Sequence, residues 1–136
     1  MANAAAYKTF GGWTDQPYTV VLEYDFANDT GAQATYSLGK FDHKTLVRKG
    51  LAFVETACTS AGSATVAIGA STADPDGILD ASDGAVANLT DNAVVFTAST
   101  SDNLVVAADE TLDLIIATAD LTAGKIKVIL ECINVE

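Results

Sequence analysis

From Tyr18 onward, hydrophobic and polar residues alternate along the chain with a period of two. The clearest stretch is 18–26, where the even-numbered positions are apolar or aromatic and most odd-numbered positions are polar. This pattern is typical of a strand with one buried face. Shorter stretches of the same kind follow, separated by turn-forming Gly, Asn, Asp and Ser residues. The predicted strands are 18–26, 34–41, 46–58, 64–69, 93–98, 103–107, 112–118 and 126–135.

The longest of the middle strands, 46–58, allows a prediction of its two faces. Strict alternation places Val47, Leu51 and Phe53 on one face and Val54 on the other. The assignment follows because successive side chains in a strand point to opposite faces.

Two connections are predicted from turn chemistry. The Gly- and Asp-rich segment 70–90 is expected to be an excursion with a single helical turn near 78–81. Residues 119–124 have the length of a hairpin connection and end in Gly124, so we expect a hairpin between the last two strands.

These elements together predict the fold class. About eight short strands, with no long amphipathic helix and no internal repeat, favour an all-β, antiparallel β-sandwich, jelly-roll-like in topology. A chain of 136 residues suits one domain and can bury a sizeable core. We expect residues 18–136 to form this single β-sandwich domain.

The first 17 residues show no strand pattern and are predicted to form an extended N-terminal arm, 1–17. Tyr7, Phe10 and Trp13 follow one another at every third position, and Gly11 and Gly12 interrupt any helix there. Two interpretations stay open. The aromatic residues either anchor the protein to a partner or fold back on the same domain.

Charge narrows the choice of partners. The net charge is −11, from 18 acidic and seven basic residues, and 70–124 contains ten acids and no base. Nucleic acids and anionic membranes both attract a positive surface, so neither is an expected partner. No stretch approaches the ~20 apolar residues of a membrane span. The first ten residues do not have the pattern of a signal peptide, so we expect synthesis in a cytoplasm.

The residues that could support catalysis are few. His43 is the one histidine and stands in the predicted turn Asp42-His43-Lys44, and no nucleophile motif accompanies it. We therefore predict no enzymatic activity and no cofactor. Cys58 and Cys132 match no zinc or redox spacing and are expected to be reduced, packed thiols.

The aspartates of 74–84 allow two interpretations. Paired aspartates in a glycine-containing loop suit calcium, but Ile78 stands where an oxygen ligand is needed and no Glu closes the loop. The favoured interpretation is a structural turn shaped by Asp74 and Gly77, without a metal site. Three further aspartates would then be solvated and replaceable: Asp76, Asp80 and Asp83.

The last predicted strand is apolar on both faces, which indicates a partner for the second face. Alternation places Ile126, Val128 and Leu130 on one face and Ile129, Ile133 and Val135 on the other.

Three passages of the chain resemble small virion proteins that decorate the icosahedral heads of tailed bacteriophages. The first is the strand 18–26 leading to Tyr36-Ser37-Leu38-Gly39. The second joins GLAFVET (50–56), TVAIG (65–69) and DPDGIL (74–79), and the third is LTAGKIKV (121–128). The resemblance extends over residues 18–135.

The resemblance implies a homotrimer of about 42 kDa, three times the chain mass of 14.0 kDa, on the surface of the virion capsid. Such a trimer would bind the major capsid protein and cement its lattice, with Tyr7, Phe10 and Trp13 as expected capsid-binding residues. The alternatives are the base of a head fibre, a tail-fibre or receptor-binding β domain, and a small β-sandwich hydrolase. The resemblance carries no catalytic residues.

Overall fold

The computed structural model describes residues 16–98 and 102–135, and within them the chain is almost entirely β-structure. One helical turn, α1 (Phe26–Asp29), follows the first strand, and a 3-10 turn spans Val86–Asn88. In the described part of the chain no helix is long and apolar enough to cross a membrane. The strands are β1 (Tyr18–Asp25), β2 (Thr35–Lys40), β3 (Thr45–Ser60), β4 (Thr65–Ala70), β5 (Asp74–Leu79), β6 (Val94–Val95), β7 (Asp102–Val106), β8 (Thr111–Ala117) and β9 (Leu121–Asn134).

The strands form two antiparallel sheets, which we name after their central strands. The β9 sheet has the order β1-β9-β3-β6, with β7 also paired to β3, and the β8 sheet has the order β2-β8-β4-β5. β1 therefore pairs with β9, β2 with β8, β3 with β6 and β7, and β4 with β5, as if one long hairpin had been rolled up. This is the strand order of a jelly roll, and it confirms the predicted antiparallel sandwich.

The core lies between the two sheets and follows the predicted alternation. Along β9, Ile126, Val128 and Leu130 are fully buried. They face Leu112 and Leu114 of β8, which are buried to the same extent. Burying an aliphatic side chain of this size contributes about 1.5–3 kcal/mol, so the two central strands are a main source of stability.

The predicted faces of β3 are wrong. Val47 is buried together with Ala52 and Val54, whereas Leu51 and Phe53 lie on the opposite face and are only partly covered. The reason is a register shift between Val47 and Lys49, where a β-bulge adds one residue to the strand. One extra residue exchanges the two faces for everything that follows it.

The helical turn predicted near 78–81 is also wrong, and the segment instead adds a ninth strand. Ile78 and Leu79 end β5 and are fully buried, with Leu79 opposite Ile68 of β4. Turns lie at 71–73, before β5, and at 81–84, after it. Pro75 fits because β5 is an edge strand, where a missing N–H costs no ladder hydrogen bond.

The predicted hairpin at 119–124 is not formed. β8 and β9 belong to different sheets, so the connection carries the chain across the sandwich. Gly124 lies inside β9 with a φ of 144°, where a Cβ atom would approach the Cys58 Sγ atom to 2.5 Å. The glycine is thus required by a close approach within the sandwich and does not mark a turn.

Candidate interaction surface

The single histidine lines a groove of about 260 Å³ between the edge strands β1 and β2. Val20, Leu22 and Phe41 supply the apolar part of its lining. The hydroxyl of Thr45, also in the lining, donates a hydrogen bond of 2.8 Å to the carbonyl of His43. Neither serine nor cysteine is among the described residues of the groove.

The aspartates after β5 hold their loop together. The Asp83 N–H donates to Asp80 Oδ1, and the Thr97 hydroxyl donates to Asp83 Oδ2, both at 2.8 Å. The Asp80 N–H in turn donates to the Thr97 hydroxyl oxygen at 2.8 Å. The expectation that Asp80 and Asp83 are freely replaceable is therefore wrong, because their carboxylates accept hydrogen bonds that close the loop.

Asp74 and Asp76 form a separate carboxyl pair. The pKa of Asp76 is raised, chiefly because its side chain shares a hydrogen bond with Asp74 and then because of partial desolvation. Among residues 16–98 and 102–135, no group of three or more His, Cys, Asp or Glu side chains is arranged to hold a metal ion. The pair is suited to sharing a proton.

The two cysteines are buried free thiols at different places in the sandwich. Cys58 contacts the position of Gly124, whereas Cys132 lies eight residues further along β9, a distance of about 26 Å along a strand. Burial raises the pKa of both thiols to about 11. At neutral pH they are protonated, packed side chains that cannot meet in a disulfide.

The outer face of the β9 sheet carries apolar side chains in two groups, separated by the row that contains Lys49 and Glu131. In its central row, Val21 of β1, Ile129 of β9 and Leu51 of β3 stand side by side in register. Apolar side chains on this face become more exposed towards the edges of the sheet, where Val21 is 56% exposed and Val94 is 54% exposed. The apolar residues of this outer face are Val21, Leu46, Leu51, Phe53, Val94, Val105, Ile129 and Ile133.

Charged residues of both signs lie between and beside these apolar residues. Arg48 forms an ion pair of 3.1 Å with Glu131, which stands between Ile129 and Ile133 on the outer face of β9. Nearer the start of β9, Lys125 lies 3.6 Å from both Glu23 and Glu55, and these two carboxylates raise the pKa of the lysine. The side chains described on this face include four acids and four bases: Glu23, Asp25, Glu55, Glu131, Arg48, Lys49, Lys125 and Lys127.

The outer face of the β8 sheet is different in character. Its described outward positions carry mainly small or polar residues, such as Thr35 and Ser37 of β2 and Ala67 of β4. Ile115 of β8 is the one large apolar residue among them. The Asp113 carboxylate on this face accepts hydrogen bonds from the hydroxyls of Ser37 and Thr111 at 3.0 and 2.8 Å. Among the residues that the structure describes, the β9 sheet is therefore the one that presents a broad apolar surface to a partner.

Sequence reasoning found this surface only in part. Ile129 and Ile133 were expected on the second face of the last strand, and they lie there. Leu51 and Phe53 were missed because the bulge in β3 cannot be read from alternation. The predicted capsid-binding residues Tyr7, Phe10 and Trp13 lie outside the described residues.

Fold and surface together define a small jelly-roll protein with one outer face suited to protein contacts. No protein-family model matches the sequence, and no curated protein sequence matches it. Its fold is similar to that of chains in solved phage capsid structures, as the resemblance in sequence predicted.

A chain of the cyanophage Pam1 capsid asymmetric unit is 14% identical, with a TM-score of 0.67 and 98% of each chain covered. A chain of the Ralstonia phage GP4 capsid is 12% identical, with a TM-score of 0.64, covering 98% of this chain and 94% of the other. A chain of the acid-stable capsid of Helicobacter pylori bacteriophage KHP30 is also 12% identical, with a TM-score of 0.55 and 86% of each chain covered. At these identities the similarity establishes a shared fold.

Proposed function

We propose that the protein is a structural component of a phage virion that decorates the icosahedral head. In this function it binds the lattice of the major capsid protein and stabilises it, without catalysing a reaction. It is made in the host cytoplasm and ends on the capsid surface. The fold supports this proposal, because nearly the whole chain aligns with chains of two phage capsid structures.

The observation that carries the proposal is the apolar outer face of the β9 sheet. Val21, Val94 and Val105 are 56%, 54% and 47% exposed there. Contiguous apolar patches of this kind mark surfaces for protein contacts. A chain with such an apolar patch on its surface is suited to association with other protein chains.

Attachment to the head is assigned to the N-terminal arm. Tyr7, Phe10 and Trp13 are the capsid-binding residues in this proposal, since large aromatic side chains are the most effective anchors at protein interfaces. The protein is proposed to act as a homotrimer, so that each decorating unit contributes three arms. Three weak anchors on one body bind far more tightly than one alone.

Electron microscopy of purified virions tests the proposal, with the protein located by a bound antibody fragment. Decoration predicts copies at regular lattice positions over the whole head. Copies restricted to one vertex or to the tail would favour the head-fibre or tail-fibre alternative. Absence from the virion would overturn the structural function altogether.

A further inference from the structure

We propose that the outer face of the β9 sheet packs against a second copy of this chain. The inference deepens the proposed function and rests on it for the trimeric assembly. It assigns the apolar face to contacts between copies and leaves the arm to contact the capsid.

The apolar surface reaches from one edge of the sheet to the other. Val21 lies on the edge strand β1, whereas Val94 and Val105 lie on β6 and β7 beyond β3. Between these edges lies a shallow depression of about 100 Å³, lined by Thr19, Lys49, Leu51, Ile129 and Glu131. A neighbouring molecule can therefore cover the face from either side and insert a side chain at its centre.

The distribution of charge over the protein indicates that the neighbouring molecule is a second copy of this chain. The chain carries −11, so two copies repel each other over most of their surfaces. The side chains described on the outer face carry four acids and four bases and are balanced. Asp102, which takes the register position opposite Lys49 on β7, adds one acid at most. Nearly all the net charge is therefore elsewhere, and two copies approach each other most favourably at this face.

The arrangement of the charges also suits a second copy. Among the described side chains, Arg48 and Lys49 stand with a single acid, Glu131, which leaves one base in excess. In a second region, nearer the start of β9, three acids stand with two bases, which leaves one acid in excess: Glu23, Asp25, Glu55, Lys125 and Lys127. The first region of one copy can therefore face the second region of its neighbour. Such complementarity fixes how two surfaces meet, and like charges in register would prevent wrong arrangements.

The test introduces one acid into the face and measures the mass of the purified protein in solution. Val21→Glu and Val94→Glu each place a charge at an exposed position on opposite sides of the face. Thr35→Glu is the matched control, because it adds the same charge at an exposed position on β2, the edge strand of the other sheet. Circular dichroism and thermal melting check that each variant keeps the fold.

We expect wild type and Thr35→Glu to sediment as assemblies at micromolar concentration. Val21→Glu and Val94→Glu should require at least tenfold higher concentrations to assemble. A wild-type protein that is monomeric at that concentration would overturn the inference. So would folded Val21→Glu and Val94→Glu variants that assemble like the wild type.

Binding of each variant to heads that lack the protein separates this inference from the proposed function. Variants that stay assembled but no longer bind heads would assign the face to the capsid and contradict the inference. If the wild type assembles, the variants do not, and none of the proteins binds heads, the inference holds and the decoration function fails. A dimer would support the face as an interface and reject the trimer.

Discussion

Glu110 shows how a single acidic side chain can organise two loops. It is 8% exposed, and its carboxylate accepts hydrogen bonds from the N–H groups of Thr72 and Ala73 at 2.6 Å and of Ala107 at 3.1 Å. The first two belong to the β4–β5 turn and the third to the loop before β8. The carboxylate therefore links the β4–β5 turn of the β8 sheet to the loop that follows β7 of the β9 sheet.

Replacing Glu110 by Gln should lower the free energy of unfolding by about 2 kcal/mol, because hydrogen bonds to charged groups contribute about 1.5–3 kcal/mol and an amide NH₂ cannot accept from these donors. The matched control is Asp109→Asn, next in sequence. Asp109 is well exposed, with only a 3.8 Å ion pair to Lys40, so a change below about 0.5 kcal/mol is expected. Urea unfolding measures both variants. Equal effects at the two positions would show that the Glu110 hydrogen bonds are not important.

The Asp74–Asp76 pair should give the protein a small dependence of stability on pH. The raised pKa of Asp76 means that the folded state holds this proton more tightly than the unfolded state does. Stability from this group is present below the ordinary carboxyl pKa of about 4 and is lost as pH rises through the raised value.

Asp76→Asn should therefore melt slightly higher than the wild type at pH 7, since an amide keeps a hydrogen bond to Asp74 without like-charge repulsion. The difference between the two proteins should disappear at pH 3, where both carboxyls are protonated. Asp42→Asn removes the same charge from the exposed turn after β2 and serves as the control. An Asp76→Asn variant that is less stable than the wild type at pH 7 would contradict the proton-sharing interpretation.

At the scale of strands, the sequence predicts an element best where one face is buried along its whole length. Residues 18–26 were predicted as a strand and β1 spans Tyr18–Asp25, because the pleat alone places Val20, Leu22 and Tyr24 on the core side. The segment 74–79 has no such alternation. Its ends are set by pairing with β4, a tertiary contact that local sequence does not encode.

The candidate surface shows the same limit. Ile129 and Ile133 could be placed on the second face of the last strand because β9 is regular there. Leu51 and Phe53 could not, because the bulge between Val47 and Lys49 exchanges the faces of β3. The apolar surface exists only when three strands are in register, and cross-strand register depends on the folded sandwich.

At the scale of the whole molecule, the charge distribution separates two kinds of surface. The net charge of −11 keeps most of the surface hydrated and repulsive towards other copies. The balanced outer face of the β9 sheet is the exception among the side chains described. A protein made in many copies would gain from this arrangement, because association is then favoured at one face and disfavoured at the others.

The N-terminal arm and the outer face should be separable in function. Deleting residues 1–15 should leave the sandwich folded, because the core described here is built from residues after Tyr18. Assembly should also persist, since the outer face of the β9 sheet is intact. Head binding should be lost, because truncating a buried interface aromatic often costs about 2 kcal/mol or more and the deletion removes Tyr7, Phe10 and Trp13.

The measurement is occupancy on heads that lack the protein, compared at equal concentration with the wild type. Lys8→Ala, which alters the arm but keeps its aromatic residues, is the control and should bind normally. Normal occupancy by the truncated protein would show that the arm does not attach the protein to the head.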